Sequence, residues 1–162
     1  MKIDSTTTAH RGLAVAARIG VAVVLFGGGA PPAFAQSSGT GEGAKVCSWF
    51  TPAEIAKYLG VAVEAGQVNG PLNSQCQWKG KSASPAFISI QIVRRSDWED
   101  PHLADGYKRV QGIGETAYVV PQLGGWQAGA RTATKVVAVS GLGGTLTAEK
   151  TLDVLRAAVN HP

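Results

Sequence analysis

The chain reads as an α+β domain: an antiparallel sheet of about five to six strands with N- and C-terminal helices packed on one face. Three observations predict this. Helix signals stand near both ends of the folded part, around residues 52–59 and 148–159. Between them lie short β-type segments separated by Gly, Pro, Asn and Ser turns. No helical pattern alternates with those strands, which argues against a parallel sheet with crossover helices.

The first helix carries its own start and stop. In "CSWFTPAEIAKYLG", Thr51 stands at the N-cap, Pro52 at the first helical position and Glu54 at the third. That is a capping box, with proline where its missing N–H does no harm. Phe50 and Ile55 are spaced to close a hydrophobic staple across the cap. Gly60 supplies the left-handed residue that ends the helix. A helix over 52–59 is too short to be stable alone.

The strands follow in order. Residues 61–68 form a weak strand and "NGP" a turn. Residues 74–80 alternate, with Cys76 and Trp78 on one face. "AFISIQIV" (86–93) is the strongest strand, with Ile88, Ile90 and Ile92 sharing a face at period two. "RRSDWEDPH" is polar and irregular, and residues 103–110 read as a short helix. Strands over 115–120, 126–131 and 135–141 complete the sheet. A last helix over 148–159 is capped by Thr147, with Leu152, Leu155 and Val159 on its apolar face.

The N-terminus reads as an export signal. Lys2, Arg11 and Arg18 precede the apolar stretch Ile19–Phe26, and Ala33-Phe34-Ala35 forms a small-x-small cleavage site before Gln36. The apolar run is too short for a membrane anchor, so no membrane span is expected in the mature form and the protein is expected in the periplasm or secreted. The mature chain of about 127 residues is the size of one domain. Its organisation is a signal peptide (1–35), a flexible Gly/Ser-rich leader (36–45) and a single α+β domain (46–160). Of 15 basic and 11 acidic residues, Lys2, Arg11, Arg18 and Asp4 lie in the signal peptide, which leaves twelve against ten. So small an excess, with no basic run, argues against a nucleic-acid partner.

Both cysteines, Cys47 and Cys76, lie in the mature part. In an oxidising compartment an even pair reads as a disulfide. It lacks the CxxC spacing of redox pairs and the additional nearby ligands of zinc sites.

The order "CSWFTPAEIAKYLG", "CQW", "GIGETAYVV" resembles a pattern of small exported bacterial proteins and lipoproteins of unknown function: C-x-x-(L/F)-T-x-x-E…LG, then C-x-W, then G-(I/L)-G-(D/E)-x-A. It covers most of residues 47–120. The resemblance implies an extracytoplasmic α+β domain and brings no catalytic residues with it. The lipoprotein members would carry a lipidated cysteine, which this chain lacks.

Chemistry-bearing residues are few. "GIGETA" (112–117) matches GxGxxA, but a strand follows where a dinucleotide site needs a helix. "GLGGT" (141–145) lacks the lysine of a phosphate loop. No cofactor is expected. "SDWEDPHLAD" gathers Asp97, Glu99, Asp100, His102 and Asp105, the one acidic cluster with a histidine. It is the place for a divalent ion or an acid/base pair if the chain has one, although Pro101 and the irregular spacing suit a solvated loop. No nucleophile-elbow sequence accompanies it, and no catalytic residue is assigned. Trp98 and Trp126, in loop or strand-edge positions, are the candidate binding anchors; simple core packing is the alternative for both and the preferred reading for Trp126. Together these features point to an exported, non-enzymatic binding or interaction module whose partner is a protein or envelope ligand. Inhibition of a secreted hydrolase is the second reading, and an enzyme or metal site in the 97–105 loop the third.

Overall fold

The computed structural model describes residues 41–162. The stretch read as a signal peptide with its cleavage site, and residues 36–40 of the stretch read as a leader, lie outside the described residues. Three helices and seven strands follow one another: α1 (Glu42–Cys47), α2 (Pro52–Leu59), β1 (Gln67–Asn69), β2 (Gln75–Lys79), β3 (Phe87–Val93), β4 (Lys108–Val110), β5 (Thr116–Gln122), β6 (Gly125–Arg131), β7 (Val136–Leu142) and α3 (Ala148–Asn160). The strands form one antiparallel sheet in the order β1-β2-β3-β7-β6-β5-β4. Two meanders, β1 to β3 and β4 to β7, therefore meet along β3 and β7.

The α+β class and the antiparallel sheet are as the sequence predicts, but the strands number seven rather than five to six. The addition is β4, in the stretch read as a helix over 103–110. Two tight turns, Ala104 N–H to Pro101 O at 2.8 Å and Tyr107 N–H to Ala104 O at 3.1 Å, are all the helical character it shows. Beyond them, Lys108, Arg109 and Val110 pair with Val119, Tyr118 and Ala117 of β5. A single turn has too few internal hydrogen bonds to compete with a ready ladder. The segment 61–68 contributes only its end to the sheet, as β1, plus an isolated bridge from Val63 to Gly80.

Helix α2 is built as its sequence states. The Thr51 hydroxyl accepts the Glu54 N–H at 3.3 Å, and a Glu54 carboxylate oxygen accepts the Thr51 N–H at 2.7 Å. Gly60 closes the helix with φ +71°. Helix α1 occupies the end of the stretch read as a flexible leader. Its Val46 is fully buried, and Cys47 at its C-terminus is bonded to Cys76 of β2, with the Cα atoms 5.2 Å apart. The disulfide expected from the even cysteine pair is present, and it ties α1 to the second strand.

Register assigns the sheet two faces, since directly opposed residues point the same way. Cys76, Ile90, Val139, Ala128 and Val119 form one cross-strand row, and Trp78, Ile88, Gly141 and Trp126 the next. These side chains join Val46 of α1, Ile55 and Leu59 of α2 and Val154, Leu155 and Ala158 of α3 in one core cluster. Helix α3, capped by Thr147, turns Thr151, Val154, Leu155 and Ala158 inward; Leu152 and Val159 flank that stripe, half-buried. The opposite face carries the alternate residues. One row runs Gln77, Ser89, Ser140, Gln127, Val120, and the next Gln75, Gln91, Ala138, Gly129, Tyr118.

Candidate functional site

The segment between β3 and β4 crosses the helix-free face at one end of the sheet. It opens with a 3-10 turn over Arg95–Asp97. Trp98 then packs on Tyr118 of β5 with ring centres 5.6 Å apart, and Tyr107 stacks on the same ring at 6.0 Å. Under this cover Tyr118 is buried, and burial pushes its phenol above the usual tyrosine range. The Tyr118 hydroxyl is not orphaned, because the Gln127 amide donates to it at 3.0 Å.

Trp98 is also one wall of a cleft of about 490 Å³, whose lining includes Asp100, Arg109, Glu115, Arg131 and the turn Gly112–Gly114. The turn shapes the cleft. Gly114 has φ +59°, and a Cβ built there would lie 2.4 Å from the Arg131 carbonyl. Only glycine lets the β4–β5 connection lie so close to the end of β6. The Glu115 N–H then reaches the same carbonyl at 2.7 Å. The GxGxxA stretch is thus a hairpin turn leading into strand β5, without the helix that a dinucleotide site requires.

Charges of both signs are fixed around the cleft. Glu115 meets Arg95 at 2.8 Å and Arg131 at 3.5 Å, and Asp100 meets Arg109 at 3.2 Å. The Arg95 guanidinium also donates to the Ala133 carbonyl at 2.7 Å, which holds the polar loop against the β6–β7 turn. Asp100 Oδ1 is buried without a hydrogen-bond partner among the described residues. Most of these side chains keep a third or more of their surface in water. Such pairs contribute only about 0–1 kcal/mol each. Their effect is to hold polar groups in place beside an indole rather than to stabilise the fold.

The other residues singled out from sequence are dispersed. Asp97 pairs with Arg94 at 3.0 Å and accepts from Ser96, and the Arg94 bond before the Ser96 one holds its carboxyl below the usual carboxylate range. His102 is exposed, with Nδ1 3.0 Å from the Asp100 carbonyl. Glu99 and Asp105 are exposed. Of the acidic and histidine side chains of that loop, then, only Asp100 lines the cleft. Among the described residues no three His, Cys, Asp or Glu side chains converge as metal ligands would. Trp126 lies in the row of Trp78 and Ile88 and packs on the helix-covered core, so Trp98 and Trp126 belong to opposite faces of the sheet and form no common surface.

Sequence reasoning missed Arg95, Arg109, Glu115 and Arg131. They are scattered over 37 positions and become neighbours only when β4 pairs with β5 and β5 with β6. It also missed His161, whose ring stacks on Trp49 at 5.3 Å and meets Phe50 edge-on at 5.5 Å, closing the core beside the C-terminus of α3. Lys135 lies 4.9 Å over the same Trp49 ring, and burial before the neighbouring Lys45 charge lowers its pKa.

No helix among the described residues is long and apolar enough to cross a membrane. Neither a protein-family model, nor a curated protein, nor a solved structure matches the chain.

Proposed function

We propose that the chain is an exported, non-enzymatic binding module of the periplasm or cell envelope. The observation that carries this reading is the cleft at the β4–β5 turn, where the half-buried Trp98 indole stands among Asp100, Arg109, Glu115 and Arg131. An aromatic anchor ringed by fixed polar groups is the make-up of a recognition site. His102, the one imidazole of the acidic loop, is not among the residues lining it. The export-type leader and the Cys47–Cys76 disulfide support an oxidising compartment. The order of motifs shared with small exported proteins agrees with that placement.

The test is to isolate the partner from the envelope fraction and to measure its affinity for Trp98→Ala, Arg131→Ala and His102→Ala, checking each fold by circular dichroism. Trp98→Ala is expected to weaken binding by about 2 kcal/mol or more, roughly thirtyfold, and His102→Ala to leave it unchanged. Loss of function in His102→Ala, with Trp98→Ala folded and as active as the parent, would overturn the binding reading in favour of chemistry in the acidic loop.

A further inference from the structure

The helix-free face of β1, β2, β3 and β7 carries no Lys, Arg, His, Asp or Glu side chain along its two central rows. From Gln67 the first row runs through Gln77, Ser89, Ser140 and Gln127; from Asn69 the second runs through Gln75, Gln91, Ala138 and Gly129 to Tyr118. Exposed sheet faces ordinarily gain solubility from lysine and glutamate. Here uncharged amides take their place. Serine and alanine on β3 and β7 make a low floor, and Gln75, Gln91 and Gln127 rise around it to form a trough of about 160 Å³.

The amides are held in place. Gln75 donates to the Ser89 hydroxyl, Gln91 to the Ser74 hydroxyl at 3.0 Å, Gln127 to the Tyr118 hydroxyl at 3.0 Å and Asn69 to the Gln77 carbonyl oxygen at 3.3 Å. A carboxamide has two donor hydrogens and two acceptor lone pairs. Each bond fixes its orientation; Gln127 also accepts from the Gln122 amide, and Gln75 and Gln91 keep most of that capacity unspent.

We infer that this trough binds a neutral oligosaccharide lying along the sheet. Hydroxyl groups both donate and accept, as do the amides and serines that face them. A charged ligand would find no counter-charge in these rows and would lose its own hydration on docking. The trough is smaller than the roughly 300–1,000 Å³ of pockets that engulf a small molecule, so it fits one face of a chain of sugar rings. A second copy of the protein fits less well. The segment carrying Trp98 and Tyr107 covers Tyr118 and stands above the sheet on β5, which prevents two such faces from stacking flat. The rows are also more polar than the centre of a homodimer interface. The trough shares no lining residue with the Trp98 cleft, so the two sites stand or fall separately.

The test is NMR titration of the full chain, following glutamine side-chain amide resonances, with neutral hexasaccharides of glucose, mannose and galactose and with oligogalacturonate as the charged control. At least one neutral hexasaccharide is expected to shift the Gln75, Gln91 and Gln127 amides saturably, and oligogalacturonate is not. Gln91→Glu, which keeps the side chain's shape, is expected to weaken that binding about tenfold or more without moving the thermal midpoint. Gln77→Glu, on the neighbouring row, serves if Gln91→Glu does not fold. The inference is overturned if no neutral sugar shifts these amides, if the charged control shifts them equally, if the folded glutamate variants bind as the parent does, or if the shifts track protein concentration and mark self-association.

Discussion

Breaking the Cys47–Cys76 cross-link is expected to lower stability by about 3–4 kcal/mol. The two cysteines are separated by 29 positions, and in the chain-entropy model a loop of that size removes about this much from the freedom of the unfolded chain. The native contacts set a floor on the effect. Cys76 is fully buried in the row with Ile90, and α1, with one and a half turns, is too short to persist without its anchor. For a domain of this length the loss corresponds to a fall in Tm of about 10–15 °C. The assay is urea denaturation and thermal melting of three forms: the oxidised protein, the protein reduced by dithiothreitol, and Cys47→Ala/Cys76→Ala. The reduced form keeps both sulfur atoms in the core, so it isolates the cross-link, and the double variant adds the loss of packing. Oxidised and reduced forms with equal midpoints would refute the reasoning.

Thr51→Ala removes one half of the capping box at α2 and is expected to cost about 1 kcal/mol, read as a lower urea midpoint with an unchanged slope. The other half is pH-dependent. The Thr51 backbone bond, then the Thr51 hydroxyl bond, depress the Glu54 pKa, so its contribution is present above the ordinary carboxylate pKa and is lost as pH falls through the lowered one. Glu54→Gln should therefore flatten the acid limb of the stability curve, and a curve identical to the parent's would count against the pairing. Gly114→Ala forces a side chain into the left-handed region and against the Arg131 carbonyl; a loss of about 1–3 kcal/mol is expected, and an unchanged melting temperature would mean that the β4–β5 turn is not built this closely.

The elements legible in the sequence are those whose signals are local. Thr51, Pro52, Glu54 and Gly60 each act within one helical turn, and they delimit α2 to the residue. The period-two isoleucines of β3 and the cap at Thr147 are of the same kind. Helix α1 and strand β4 were hidden because their stability comes from elsewhere. Glu42–Cys47 contains a glycine and a single large apolar side chain, and it is held by a disulfide and by packing on β2. Lys108–Val110, two basic residues and a valine, becomes a strand because β5 offers it an edge. The same limit applies to the cleft. Trp98 and Asp100 could be singled out as residue types, whereas the arginines beside them come from β4, β6 and the start of the loop after β3. The place of Trp126 is set in a related way. Its face follows from the register of β6 on β7, where it opposes Gly141, and no local pattern in "GGWQAGAR" states that register.

The position of β7 beside β3 also sets an order of events. "FISIQIV" has no charge and no proline, and five of its seven side chains are branched or aromatic at the strand-forming end of the scale; left bare, such a segment recruits other chains. In the folded sheet it is guarded by β2 on one side and β7 on the other. The first guard is close in the chain and arrives early. The second lies more than forty residues downstream, almost at the end. If the chain is exported as proposed, it emerges N-terminus first on the far side of a membrane and exposes its stickiest strand until nearly the last of it has crossed. Yield in such a protein is governed by how long that interval lasts, and slowing delivery of the C-terminal segment, or truncating it before residue 136, should turn a folded domain into an aggregate.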